Sequence, residues 1–205
     1  MIEYGAPING IVLDRPSSRP SVQAKHLAPV SDTILVGYAT RYGKPHIHRS
    51  AIEVMSRGCF AVSLKSSRSV SFLRDHSWSH NFGSTADGSL DLFEDDLGLA
   101  FAFRPRNDND GRTLVADVNA GRLQCSIGYF CEHSAMRHVG EDECKFIHEA
   151  LLREISVVEW PAVRETTITT VCAATFAGLR ETCRAGDMEK YVAAANWERS
   201  QRRLL

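Results

Sequence analysis

The chain has 205 residues, of which 43 % are hydrophobic and 24 % are charged, and its formal net charge is −1 at pH 7. These values are typical of a soluble globular protein with a single domain that is long enough to bury its own core. Without a stripe of clustered Lys and Arg, nucleic acid is excluded as the main partner, because phosphate binding depends on such clusters. No apolar stretch is long enough to span a bilayer, so we expect no membrane partner.

Six cysteines are scattered along the chain without a CxxC pair or a regular spacing. The first residues lack the basic and apolar regions of a secretory signal peptide. Isolated cysteines in a chain that is not exported are expected to be free thiols in a reducing cytoplasm.

In chain order, the sequence divides into three predicted regions. Four of the seven prolines fall within residues 1–32, together with several Ser and Gly, and they predict an irregular N-terminal arm. Residues 33–170 hold most of the strand-like apolar runs and form the predicted folded domain. In the C-terminal tail, residues 171–205, a helix is predicted over 187–205, because Asp187 can cap it and several Arg residues suit its C-terminal end.

Short strands alternate with turn signals through the predicted domain. The predicted strands span residues 33–39, 69–74, 90–93, 98–103, 123–130, 144–151 and 153–158. Two helices are predicted, over 60–66 and over 112–119, the second with Asp108 or Asp110 as N-cap and Gly121 near its end. Many short strands with few helices predict an α+β, β-dominated fold, namely a single closed or nearly closed antiparallel β-barrel with helices packed outside.

Three residues in the order His, Ser, Glu are the candidate catalytic set. His76 ends the apolar run 69–76, Ser126 lies in the strand-like run 123–130, and Glu154 lies in the apolar run 152–158. A serine hydroxyl needs a neighbouring imidazole as base, and the imidazole needs an acceptor that fixes its tautomer. Each residue also has a structural interpretation without catalysis. His76 can be a surface or core histidine, and Ser126 a small residue on a solvated strand face. Glu154 can be an edge-strand acid paired with Arg153.

Strand alternation separates Ser126 from its neighbour Cys125. Ser126 and Gly128 are predicted to share one face, on which Gly128 leaves room for a substrate backbone. Cys125 is predicted to face the other side, beside Ile127, where a buried structural thiol is expected. A thiol is the better nucleophile, but this alternation favours the hydroxyl of Ser126.

A metal site is the main alternative chemistry. Asp75, His76 and His80 lie close together in the sequence and could suggest metal ligands. However, neither His46 and His48 nor the cysteines complete a recognisable zinc spacing. We therefore expect no metal and no cofactor. Asp75 is not expected to orient His76, because adjacent strand residues face opposite ways.

Seven short sequence blocks occur in a characteristic order. They are GYA at 37–39, RGCF at 57–60 with SL at 63–64, FLRDH at 72–76, FGST at 82–85, DDLGL at 95–99, CSIGY at 125–129, and LREISVV at 152–158 with WPA at 160–162. In this set the chain resembles the prohead (procapsid maturation) serine proteases of tailed bacteriophages, whose fold is similar to that of the herpesvirus assemblins. The chain departs from the family pattern at Arg57, Cys59 and Ser77, where Pro, Ala and an acid are usual.

The resemblance implies a role for each candidate. His76 is the general base, Ser126 the nucleophile and Glu154 the third member. The related assemblins use a second His in the third place. In this chain, Glu149 and His148 are the nearest substitutes for Glu154. The implied fold is the assemblin-like barrel.

The resemblance also implies the biology. The expected protein is an endopeptidase that cuts scaffold segments and the N-terminal segment of the major capsid protein inside an assembling procapsid, in the host cytoplasm. It is expected to cut itself as well. The sequence is compatible with a homo-oligomer and does not define the oligomeric state. The alternative is a catalytically silent scaffold or adaptor protein of the capsid interior on the same fold. A host esterase of unrelated fold lacks support, because the chain has no GxSxG elbow.

Overall fold

The computed structural model describes residues 30–182 of the chain. The strands are β1 Thr33–Arg41, β2 Pro45–His48, β3 Ala51–Met55, β4 Ser71–Arg74, β5 Ser77–Ser84, β6 Leu90–Glu94, β7 Gly98–Phe103, β8 Gln124–Val139, β9 Asp142–Val158 and β10 Thr167–Cys172. The helices are α1 Ala61–Lys65, α2 Asn109–Asn119 and α3 Ala173–Thr182, and a 3₁₀ turn at Val30–Asp32 precedes β1. Every helix in the described part is too short or too polar for a membrane span.

The strands form two sheets, not a closed barrel. The first sheet has the order β10-β1-β7-β6 and is antiparallel. The second is built on β9, which pairs with β8 along one edge and with β3 and then β4 along the other. The prediction of a β-dominated fold is confirmed, but the single antiparallel barrel is wrong. Within residues 30–182 neither sheet closes, and β3 and β4 both run parallel to β9.

The main core lies between the two sheets. Phe103 of β7 stacks on Phe72 of β4, with ring centroids 4.2 Å apart. Leu114 and Val118 of helix α2 join the same apolar cluster. The outer face of the first sheet is covered in turn by Phe176 of α3. Because β1 and β7 are thereby buried on both faces, they appear in the sequence as continuous apolar runs, not alternating ones.

Several predicted elements are confirmed with small shifts at their ends. The strand over 98–103 has the predicted bounds. Helix α2 begins after Asp108, whose carboxylate accepts the N–H of Gly111 at 2.8 Å. Gly121 follows the helix with a φ of 69°, the left-handed conformation usual after a helix end.

Other elements differ from the prediction. The strands expected over 144–151 and 153–158 form one strand, β9, and β8 runs on to Val139. The four strands β2, β3, β5 and β10 and the helix α3 were not predicted. The arm before residue 30 and the helix over 187–205 lie outside the described residues, and the three-part division of the chain stays a prediction.

Candidate active site

His76 lies in the tight turn that joins β4 to β5. Both turn residues, Asp75 and His76, have positive φ, at 51° and 58°. Two-residue hairpin turns of this kind match the twist of the strands, although the left-handed region costs an L-residue about 1–2 kcal/mol. Strand β9 holds the turn: the N–H of Asp75 donates to the carbonyl of Val157 at 3.1 Å, and the N–H of His76 donates to Ser156 Oγ at 3.0 Å. His76 is therefore a turn residue fixed against β9, not the end of a strand.

Glu154 of β9 binds the imidazole of His76. Nδ1 of His76 donates to Glu154 Oε1 at 2.7 Å, and Ser156 Oγ donates to Oε2 at 2.5 Å. Glu154 is only 4 % exposed, and these bonds offset the cost of burying its charge. The hydrogen bond to Glu154 raises the pKa of His76, against the opposing effect of partial burial. The pair thus favours a positive charge on the imidazole.

Gly128 provides the space that Glu154 occupies. It pairs with Glu154 across β8 and β9. A Cβ at Gly128 would lie 2.2 Å from Glu154 Oε1, far inside contact distance. The sequence predicts that this glycine leaves room for substrate beside Ser126. Gly128 does line the same cavity as Ser126, and the position that its side chain would take is filled by Glu154. Gly128 therefore serves the carboxylate that orients His76.

Ser126 and His76 border the same cavity. The cavity has a volume of about 370 Å³, and the half-buried Ser126 reaches it from β8. Cys125 is wholly buried, its Sγ lies 3.8 Å from the carbonyl of Thr167, and burial raises the pKa of its thiol. The prediction of a buried thiol next to Ser126 is confirmed. The structure thus brings His76 to Ser126's cavity, with Glu154 bound to the imidazole.

The model of the caudovirus prohead serine protease family matches residues 21–180, which is well over half of the chain. The chain belongs to this family. No curated protein matches the chain. As a prohead serine protease, it belongs to a group of serine proteases that act in the maturation of phage capsids.

The residues considered as metal ligands are separated in this prohead protease. Asp75 forms an ion pair with Arg74 at 3.5 Å, and the ring of His80 packs against Phe82 with centroids 5.0 Å apart. Across residues 30–182 no three His, Cys, Asp or Glu side chains cluster as a metal site. The imidazole of His76 bonds Glu154, not Asp75.

The two substitutes for Glu154 have other partners. Nδ1 of His148 lies 3.0 Å from Ser56 Oγ. Glu149 lies 3.8 Å from His133 Nε2. Neither of them lines the cavity of Ser126. This arrangement favours Glu154 as the residue that orients His76.

The alternative interpretation of Glu154, as an exposed edge-strand acid paired with Arg153, is wrong. Strand β9 has neighbours on both edges, and Arg153 is the extra residue of a β-bulge opposite β8. The bulge turns Arg153 to the surface, where its guanidinium lies over the rings of Phe130 and Trp78, at 4.9 and 5.7 Å. Glu154 is thus turned inward to His76.

Sequence reasoning missed Ser156. Its side chain is wholly buried and bonds both Glu154 and the backbone of His76. Strand alternation could have found it, because residues two apart on a strand share a face. A serine two places from a buried glutamate is therefore a usable signal for a partner of that glutamate.

A second His–Glu pair near the cavity was also missed. His48 of β2 donates from Nδ1 to Glu53 Oε2 at 3.0 Å, and Lys145 donates to Oε1 at 3.1 Å. The hydroxyl of Tyr129 donates to Oε2 as well. Burial opposes ionisation of Glu53, but these three hydrogen bonds outweigh it and lower the pKa of the carboxyl. His48 and Tyr129 line the cavity, whereas Glu53 lies behind them.

Proposed function

We propose that this prohead protease is an endopeptidase with Ser126 as nucleophile, His76 as general base and Glu154 as the third member. One observation carries the proposal. His76, bound at 2.7 Å to a buried carboxylate, lines the same cavity as the half-buried hydroxyl of Ser126. A base oriented by a buried acid beside a serine is the arrangement that acyl transfer needs.

The mechanism follows from which ring nitrogen of His76 is bonded to Glu154. Because Nδ1 of His76 donates to Glu154, Nε2 is left to accept the proton of Ser126 Oγ as that oxygen attacks the peptide carbonyl. The imidazolium that forms is stabilised by the Glu154 carboxylate. It returns the proton to the leaving amine as the C–N bond breaks. Water, deprotonated by Nε2, then attacks the ester of Ser126. The acyl C–O bond breaks, and the imidazolium returns the proton to Ser126 Oγ.

The family supports the substrates that we propose. They are scaffold segments and the N-terminal segment of the major capsid protein, cut inside the procapsid in the host cytoplasm. We also propose self-cleavage, with the Pro-rich arm over 1–32 and the helix predicted over 187–205 as the expendable parts. Acid–base and nucleophilic groups of the chain suffice for this chemistry, so the proposal includes neither a metal nor a cofactor.

A fluorophosphonate probe and coexpression with the capsid protein test the proposal together. The wild-type chain should be labelled at Ser126, and mass spectrometry should find a shortened capsid protein. Ser126→Ala should fold, take no label and leave the capsid protein intact, because losing a triad nucleophile costs on the order of a million-fold in rate.

Cys125→Ala is the matched control and should keep both labelling and cutting. Cutting by Ser126→Ala together with inactivity of a folded Cys125→Ala would overturn the assignment. A folded wild-type chain that neither labels nor cuts would instead be the catalytically silent adaptor.

A further inference from the structure

Two strained hairpin turns of the described part adjoin the cavity. Arg49 and Ser50 have φ of 48° and 70°, and together with Asp75 and His76 they are all the non-glycine residues with positive φ in residues 30–182. The first pair closes β2 onto β3, and the second closes β4 onto β5. Backbone strain of this kind persists where the surroundings impose it, and it clusters at binding and catalytic sites.

Each strained turn brings one side chain to the cavity of Ser126. His76 comes from one turn and Arg49 from the other, while β2 adds His46 and His48. Arg49 carries a positive charge, and each imidazole can donate a hydrogen bond, although burial lowers the pKa of His46 and favours its neutral form. No Asp or Glu lines this cavity in the described part of the chain. The wall formed by β2 and its turn therefore suits a negatively charged group.

The carboxylate of Glu53, behind this wall, already has its hydrogen-bond partners. Glu53 accepts hydrogen bonds from His48, Tyr129 and Lys145. No carboxylate within residues 30–182 pairs with Arg49.

His46 gives a second, independent observation. It is only 8 % exposed, and its Nδ1 is buried without a hydrogen-bond partner among the described residues. A buried polar atom left unpaired is costly, and such atoms mark places where a partner from outside the fold is expected. His46, whose Nδ1 lacks this partner, and Arg49, whose guanidinium is unpaired, line the same cavity.

We propose that Arg49, with His46 and His48, forms a subsite for the carboxylate of an acidic substrate residue close to the scissile bond. The protease then prefers to cut beside Asp or Glu. This inference rests on the proposed function, because it assigns a specificity to the same cavity. A guanidinium pairs with a carboxylate through two parallel hydrogen bonds, whereas a substrate Lys or Arg at that position is repelled.

A proteome-derived peptide library tests the preference at every position around the cut at once. The full-length chain digests the library, and mass spectrometry reads the residues that flank each cut. We expect Asp and Glu to be enriched at one position. A peptide pair that differs only by Glu or Gln there then gives the preference as a ratio of kcat/KM, expected at about 10–100 for a charge-assisted contact.

Arg49→Asn removes the charge and keeps the turn, because Asn tolerates the left-handed conformation. It should bring the Glu/Gln ratio close to one, mainly by slowing the Glu peptide. Arg49→Lys should retain part of the preference. Arg68→Gln is the matched control, since Arg68 is exposed and does not line the cavity, and its ratio should equal that of the wild type. Arg49→Gly serves as a second charge-free variant if Arg49→Asn does not fold.

The outcomes separate this subsite from the proposed chemistry. A chain that takes the fluorophosphonate label and cuts peptides without an acidic preference overturns the subsite and leaves the protease standing. An unchanged Glu/Gln ratio in a folded, active Arg49→Asn or Arg49→Gly overturns it as well. A wild-type chain that neither labels nor cuts overturns the proposed function, and the subsite with it.

Discussion

Two His–Glu pairs near one cavity are almost the same in geometry. In each pair Nδ1 of a half-exposed histidine bonds a buried glutamate, His76 to Glu154 at 2.7 Å and His48 to Glu53 at 3.0 Å. The histidine side chains are 47 % and 45 % exposed, and the glutamate side chains 5 % and 6 %. The distance and burial of the pair therefore do not decide which histidine acts as the base.

The difference lies in what else each glutamate binds. Glu154 has the neutral hydroxyl of Ser156 as its other partner, and no Lys or Arg of the described chain pairs with it. Glu53 has a cation, Lys145, and a tyrosine hydroxyl. The charge of Glu154 is thus left to stabilise an imidazolium at His76, whereas Lys145 already balances Glu53. An opposite charge close to an imidazole favours its protonated form.

The sharpest test replaces each histidine by Asn. His76→Asn should lose on the order of a million-fold in kcat, because a triad without its base has little activity left. Asn also suits the positive φ of that turn. His48→Asn should lose at most about tenfold, through substrate binding in the wall of the cavity. Cleavage of the capsid protein measures both, and a crippled His48→Asn beside an active His76→Asn would exchange their roles.

The glutamates should separate activity from stability. Glu154→Gln removes the charge that faces His76 and should cost about a hundred- to a thousand-fold in turnover, less than the ten-thousand-fold known for an aspartate in this place. Glu53→Gln leaves Lys145 without its counterion and should lower the free energy of unfolding by about 1–3 kcal/mol, with a small loss of rate. Urea unfolding followed by circular dichroism measures the stabilities.

Glu149→Gln is the control for the glutamate comparison and should act like wild type. An active Glu154→Gln beside a crippled Glu149→Gln would contradict the strand register of β9. If both are active, His148 becomes the next residue to replace.

Gly128→Ala tests whether the pair of His76 and Glu154 depends on the space that Gly128 leaves for the carboxylate. The added methyl group collides with Glu154 Oε1 and should displace it from His76. We expect about a tenfold to a hundredfold loss of kcat, and about 1–3 kcal/mol of stability through overpacking. The kcat measurement is paired with fluorophosphonate labelling. Full activity in this variant would mean that Glu154 can orient His76 from another position.

The pH dependence of cleavage gives the smallest effect. Glu154 raises the pKa of His76 above its ordinary value of 6.5, and the base works only when neutral. Activity should therefore fall as the pH drops through a midpoint above 6.5, and Glu154→Gln should move that midpoint down. A kcat/KM profile measures the midpoint. No movement in Glu154→Gln, or movement in Glu53→Gln alone, would reverse the comparison.

Local sequence patterns carry part of the site. Alternation was enough to place Cys125 in the core and Ser126 apart from it. For helix α2, the sequence offered Asp108 as one of two N-cap candidates, although the helix begins three residues before the predicted start. These features depend on neighbours within one strand or one turn of helix. The contact between His76 and Glu154 joins the turn after β4 to the distant strand β9, and nothing in either run specifies their pairing.

The fold shows the same limit. Strands β2 and β3 are short and contain histidines and a glutamate, so they lack the apolar alternation that marks a strand. The predicted strands over 144–151 and 153–158 break at Leu152, whereas β9 continues through this point and only bulges at Arg153. A two-sheet fold and a closed barrel can be built from similar strands. They differ in which distant strands pair, as in the parallel pairing of Ser71 with Glu154. Short-range patterns do not encode that pairing.

The parallel contact between β4 and β9 has a consequence for a chain that is still being synthesised. The turn of His76 is held by Ser156, 80 residues later in the chain. At about 5–20 residues per second, a ribosome needs roughly 4–16 s to cover that separation. Until β9 has emerged, the nascent chain has neither Glu154 nor Ser156, and its histidine turn has no support. Such distant pairing also folds slowly. The proposed catalytic set is therefore complete only after nearly the whole domain has been translated.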